Sequence, residues 1–214
     1  MALWRAGTAV GRVGADPRSH AERLPLEAVE WLAEHGLTLP DVEAFVVVSG
    51  PGSFTGLRVG VSAVQGWAFA TGRPVAAVPT LAALVASLPA TTDAARVVVP
   101  CVDGLRGEVF YGAWRAGEML LDAAVGRPED VIEAVRAAAP GAPIVVAGDG
   151  ALKYAVAWNA VQWASVDPCM TLAESSVRLV ADGRVDTGAP HAARPLYVRR
   201  PDAEVVRERA GRRA

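Results

Sequence analysis

The chain has 214 residues, 52% of them hydrophobic and 21% charged, with a formal charge of −2. This suits one domain or two small ones around a sizeable core, and it leaves no overall basic surplus for gripping nucleic acid unaided. No apolar run reaches the ~18 residues of a membrane helix, the first residues form no apolar signal core, and two distant cysteines, Cys101 and Cys169, suit a reducing compartment. The expected location is therefore the cytoplasm, without a membrane partner.

In chain order, Ala2–Arg5 and Thr8–Val13 predict a hairpin about Ala6-Gly7. A helix is predicted from His20 to His35, with Ser19 as N-cap and Glu22 completing a capping box. Leu24, Ala28, Trp31 and Leu32 share one face, and Gly36 ends the helix. Ala44–Val48 reads as a buried strand and Leu57–Thr71 as a helix. Between them runs a glycine-rich turn of Ser49, Gly50, Pro51, Gly52, Ser53, Phe54, Thr55 and Gly56. Its glycines permit positive φ, and Ser53 or Thr55 can cap the helix. Such a turn either aims free N–H groups at an anion or simply reverses the chain. Neither the phosphate-loop spacing nor GxGxxG is met.

Val75–Val78 is the next strand, and Thr80 caps a helix over Leu81–Ser87. Pro89–Asp93 reads as a linker. Beyond it come strands Val97–Val102, Glu108–Trp114 and Glu118–Ala123, helix Pro128–Ala138 and strand Ile144–Ala147. A second glycine turn, Gly148-Asp149-Gly150, leads to helix Leu152–Trp158, strand Val161–Val166 and helix Thr171–Ala181. The two halves share one order of elements, except that the first lacks its opening strand. This internal repeat predicts an α/β protein of two ribonuclease-H-like lobes, the architecture of the actin, Hsp70 and sugar-kinase (ASKHA) superfamily. The expected units are 1–92, 93–185 and an extended segment with a basic tail, 186–214. An absent first strand would expose an unpaired sheet edge, so Met1 is expected to reflect a start codon assigned too late.

Candidate chemistry is sparse. Ser49 and Ser53 have no His or Asp close in sequence, and the pattern is not GxSxG. Asp103, followed by Gly104 and Gly107, either holds a hydrated metal ion or makes a tight turn. The helix after the first glycine turn is dense in small residues: Gly56, Gly60, Ser62, Ala63, Gly66 and Ala70. Each interior glycine costs about 1 kcal/mol against alanine, which close approach of another backbone would offset. Gly56 and Gly60 lie on one side and Ser62 and Gly66 on another, so one side can meet the sheet and the other a second helix. Trp31 and Trp67 are either aromatic anchors at such a contact or core residues. The arginines Arg194, Arg199, Arg200, Arg207, Arg209, Arg212 and Arg213 make the end of the chain basic, either as a solvated tail or as a nucleic-acid or partner contact.

The string Gly50-Pro51-Gly52-Ser53-Phe54-Thr55-Gly56-Leu57-Arg58 resembles the signature of the bacterial TsaB (YeaZ) family. Weaker matches follow in the expected order at Arg18–Glu22, Asp103–Tyr111 and Pro195–Ala203. The resemblance implies a non-catalytic scaffold in the synthesis of threonylcarbamoyladenosine at tRNA position 37. Its partner would be the catalytic paralogue TsaD, with the ATPase TsaE joining the assembly and tRNA contacted indirectly. The partner face implied comprises Leu24, Trp31, Gly56, Arg58, Val59, Gly60, Ser62, Ala63, Gly66 and Trp67. No cofactor is expected on this chain alone, ATP and Mg being used by the partners. The metal-binding His-xxx-His pair of the catalytic relative is absent, since His20, His35 and His191 are never four apart. Two alternatives stand beside this: a small-molecule kinase of the same superfamily, and a homodimeric interaction module.

Overall fold

A computed structural model describes residues 1–13, 20–89 and 93–199, with side chains in the first helix from Arg23 onward. The Ser19/Glu22 capping box, the centre of the linker and the arginines from Arg200 onward lie outside the described residues.

The first half contains β1 (Ala2–Arg5), β2 (Thr8–Gly11), α1 (His20–Glu34), β3 (Phe45–Gly50), α2 (Phe54–Thr71), β4 (Val75–Pro79) and α3 (Thr80–Ala86). The second contains β5 (Val97–Asp103), β6 (Val109–Arg115), β7 (Glu118–Gly126), α4 (Pro128–Ala138), β8 (Ile144–Ala147), α5 (Asp149–Lys153), α6 (Ala155–Ala160), β9 (Ala164–Ser165) and α7 (Leu172–Ala181).

The second half builds a five-stranded sheet in the order β7-β6-β5-β8-β9. β5 lies at its centre, antiparallel to β6 and parallel to β8. One face of this sheet is fully buried at Val97, Val99 and Cys101 of β5, Val109 of β6 and Val146 of β8. Val131 and Val135 of α4 and Trp158 of α6 close over them. Burial pushes the Cys101 thiol up to about 12, with a smaller contribution from the nearby Asp149 carboxylate, so this cysteine is an inert core residue.

The first half carries two separate pairs instead: the antiparallel hairpin β1-β2 and the parallel pair β3-β4. On one side of β3, Phe45 and Val47 meet Val61, Val64 and Ala68 of α2. On the other, Val46 meets Leu179 and Val180 of α7. Helix α7 also packs on β1 and β2, and α3 reaches across to β5, so the closing helix of each half touches the strands of the other.

Several boundaries differ from the sequence expectation. Helix α2 begins three residues early, because Ser53 Oγ accepts the Gly56 N–H at 3.3 Å; Thr55 and Gly56 therefore lie inside its first turn. Thr80 lies inside α3, whose N-cap is Pro79. The single helix expected over Leu152–Trp158 is two short ones broken at Tyr154, the first starting at Asp149 directly from the glycine turn. The strand expected over Val161–Val166 shrinks to Ala164–Ser165, because α6 runs to Ala160 and Gln162 takes φ 61°. That turn buries Trp163, whose ring stacks on Trp158 at 5.9 Å. No helix among the described residues is long and apolar enough to cross a membrane.

Candidate functional site

The glycine turn leaves β3 through Ser49 and Gly50, with a cis peptide bond between Gly50 and Pro51. Gly50 has φ 115°, and a Cβ there would stand 2.6 Å from the Leu196 carbonyl oxygen, so the position requires glycine. The close neighbour is the chain's own C-terminal segment. Leu196 N–H donates to Ser49 C=O at 2.7 Å, and Arg58 Nε donates to the Tyr197 hydroxyl at 3.1 Å. Tyr197 lies against Phe54 at 5.0 Å, and the Arg58 guanidinium sits 3.9 Å from the Phe54 ring centroid. Two residues on, Arg199 donates to Gly104 C=O at 2.7 Å, pairs with Glu108 and overlies Phe110. One short strap thus ties the first glycine turn to the β5-β6 turn. Ser49 is buried with its C=O held by the Leu196 N–H, and the Ser53 hydroxyl caps α2.

Helices α1 and α2 pack together, leaving a groove lined by Arg23, Leu24, Glu27, Gly56, Val59 and Gly60. Arg23 is buried and pairs with Glu27, one turn on, at 2.7 Å. On α2, Gly60 faces inward, where a Cβ would touch Val47 Cγ2 at 3.7 Å; Gly66 faces outward, with nothing within 4 Å. Ser62 is exposed beside it and Ala63 half-buried. The same outer side carries Thr55, Arg58 and Phe69, the last 84% exposed. Leu26 and Val29 of α1 are 62% and 46% exposed. The two tryptophans are placed differently from an exposed anchor pair. Trp31 is only 6% exposed and meets His35 edge-on at 5.2 Å, while Trp67 is half-buried against Phe45 at 6.1 Å. Both rings pack within the protein because α1 and α2 turn their apolar sides inward.

Asp103 proves to be a turn residue. Its Oδ1 accepts the Leu105 N–H at 3.0 Å and its Oδ2 accepts Lys153 Nζ at 2.7 Å. Leu105, Arg106 and Gly107 all have positive φ. Partial burial raises the Asp103 pKa, but the Lys153 hydrogen bond, the Leu105 N–H and the ammonium charge outweigh it and hold the carboxyl below its usual range. The second glycine turn braces the β5-β6 turn. Asp149 Oδ1 accepts from Asp103 N–H at 3.0 Å and Gly150 N–H at 2.8 Å, and a Cβ on Gly148 would stand 2.4 Å from Cys101 C=O. Among the described residues no three His, Cys, Asp or Glu side chains gather as a metal site.

Sequence reasoning missed Tyr197, Arg199, Asp149 and Lys153 as partners of the two turns. The available signal for Lys153 was its standing as the only lysine in the chain. Tyr197 and Arg199 gave none, since their partners lie 139 and 91 residues away.

A protein-family model described as TsaD, tRNA N6-adenosine threonylcarbamoyltransferase, matches residues 15–166. An uncharacterised protein of Mycobacterium leprae is 33% identical over 199 residues, covering 93% of this chain and 50% of the relative, so the chain spans half of that protein's length. The tRNA threonylcarbamoyladenosine biosynthesis protein TsaB of Escherichia coli is 32% identical over 118 residues, 55% of this chain and 51% of that one. The solved structure of YeaZ from Pseudomonas aeruginosa superposes with a TM-score of 0.65 at 30% identity over 92% of each chain. With the fold shared over nearly its whole described length at that identity, the chain belongs to the TsaB (YeaZ) family.

Proposed function

We propose that this protein is a non-catalytic, activating scaffold in the formation of N6-threonylcarbamoyladenosine at tRNA position 37, and that it docks a TsaD paralogue through α1 and α2. The pathway is supported by the name of the Escherichia coli relative and by the matching family description. The docking role is supported by one observation above all. The outer side of α2 offers Ser62 and Gly66, where another backbone can come close, flanked by exposed Phe69. Exposed apolar groups beside small residues are what a helix-on-helix contact requires. Leu24, Val59 and Ala63 would line the contact, with Trp31 and Trp67 stiffening it from inside. Gly56 and Gly60 would keep the groove between α1 and α2 open.

In this reading the chain folds as two ribonuclease-H-like lobes, 1–92 and 93–185, with 186 onward strapped across them. It works in the cytoplasm. TsaE and tRNA join through TsaD, and Mg-ATP is consumed by the partners. A kinase of the same superfamily is the poorer fit, because the acidic residues of the second half's two turns are already engaged, Asp103 by Lys153 and Asp149 by the Asp103 and Gly150 N–H groups.

The test is reconstitution of TsaD, TsaE, tRNA and threonylcarbamoyl-adenylate with and without this chain. Modified adenosine is expected only when it is present. Equal modification without it, or Mg-ATP turnover by the isolated chain, would contradict the assignment.

A further inference from the structure

Helix α2 runs over 18 residues with a single charged one, Arg58. That arginine is exposed, one turn before Ser62 on the outer side of the helix. Surface arginines are ordinarily mobile, and each loses rotamer freedom when a partner fixes it. Arg58 is fixed in advance. Its guanidinium lies 3.9 Å from the Phe54 ring centroid, and its Nε donates to the Tyr197 hydroxyl at 3.1 Å. Tyr197 is itself tethered on both sides, by Leu196 N–H on Ser49 C=O and by Arg199 on Gly104 C=O, each at 2.7 Å. Its ring rests against Phe54 at 5.0 Å, so the strap and the first turn of α2 hold the guanidinium between them.

The Nε–H is thereby used, and the two terminal amino groups are not. Among the described residues they donate to nothing, and Arg58 meets no carboxylate. A guanidinium engaged through Nε alone still presents its Nη1/Nη2 edge, which matches the two oxygens of a carboxylate. On a free surface water serves that edge. Under a docked helix it would not, and burying an unpaired charge costs far more than burying a paired one. The only charge on α2 is a cation, so the complementary charge opposite it is an anion.

We propose that Arg58 is the specificity-determining residue of the α2 docking face, that Tyr197 positions it, and that its occupant is a carboxylate side chain of the docked paralogue. This rests on the docking reading given above. Tyr197 acts through Arg58: it removes rotamer freedom before docking, so the fork meets the carboxylate without first being ordered.

The experiment is a double-mutant cycle read by titration calorimetry, with the 214-residue chain and the TsaD protein of the same cell. Arg58→Ala is expected to weaken the complex about tenfold or more, Tyr197→Phe about threefold, and the two together no more than Arg58→Ala alone. Tyr197→Phe keeps a ring against Phe54 and is expected to keep the melting temperature. Arg58→Lys, which retains the charge without the fork, is expected to bind nearly as weakly as Arg58→Ala. Undiminished binding by Arg58→Ala, full binding by Arg58→Lys, or an equal loss from Tyr197→Phe in the Arg58→Ala background overturns the proposal. If Arg58→Ala lowers retention of tRNA by the isolated chain and leaves TsaD binding unchanged, the arginine serves phosphate and the proposal is overturned as well. Absence of a complex with the wild type contradicts the docking reading itself, and the inference falls with it.

Discussion

Glu174 closes the first turn of α7 by accepting hydrogen bonds from the Thr171 N–H and hydroxyl, both at 2.8 Å, while the Thr171 hydroxyl accepts the Glu174 N–H at 3.2 Å. The Thr171 backbone and side-chain bonds, with a smaller pull from the chain's ammonium terminus, hold the Glu174 carboxyl below its ordinary value of 4.5. A carboxyl depressed in the folded state stabilises the fold above that value and loses the contribution as pH falls through the folded pKa. Urea midpoints measured from pH 6 to pH 3 are therefore expected to fall on acidification, and the fall is expected to be shallower in Glu174→Gln. Thr171→Ala is expected to cost about 1 kcal/mol at pH 7, as for other lost N-caps. At Gly148 the expected cost is larger. Its φ of 103° and the 2.4 Å approach to Cys101 C=O mean that Gly148→Ala strains backbone against backbone, for which about 1–3 kcal/mol or more is expected in denaturant unfolding. The sequence placed Thr171 as the first residue of this helix, one position from its role as N-cap. The tie from Asp149 to Asp103 was not legible, because local sequence carries no record of which two turns meet.

At the scale of elements, α2 separates two uses of glycine that look alike in sequence. Gly60 faces β3 with ordinary clearance from Val47, so Gly60→Ala is expected to fold and to gain up to about 1 kcal/mol of helix stability in thermal unfolding. Gly66 opens outward, where added bulk meets nothing within the protein. Periodicity placed α1, α2, α4 and α7 closely because each has one apolar side along many residues. It failed at β9, where the turn after α6, with Gln162 at positive φ, takes up Val161 to Trp163 and leaves a two-residue strand. It also put the start of α2 too late, because Ser53 and Thr55 are equivalent caps on paper and only the Ser53 oxygen lies within reach of a free N–H.

At the scale of the whole molecule, the order of strands and helices was readable from the repeat, while the contacts that join the halves were not. The exchange of α3 and α7 between halves, and the strap from Leu196 to Arg199, depend on residues far apart in sequence. They fix the first half so that α1 and α2 form one exposed face. The central claim is that this face binds the TsaD paralogue, and it is tested most directly by size-exclusion chromatography with light scattering. The wild-type chain is run beside a Ser62→Arg/Gly66→Leu double variant, each mixed with the TsaD protein of the same cell. Both changed positions are exposed, so the variant is expected to keep its circular dichroism and melting temperature. A one-to-one complex with the wild type, lost or weakened at least tenfold in the folded variant, is the expected result. An undiminished complex with the variant, or no complex with the wild type, would contradict the account.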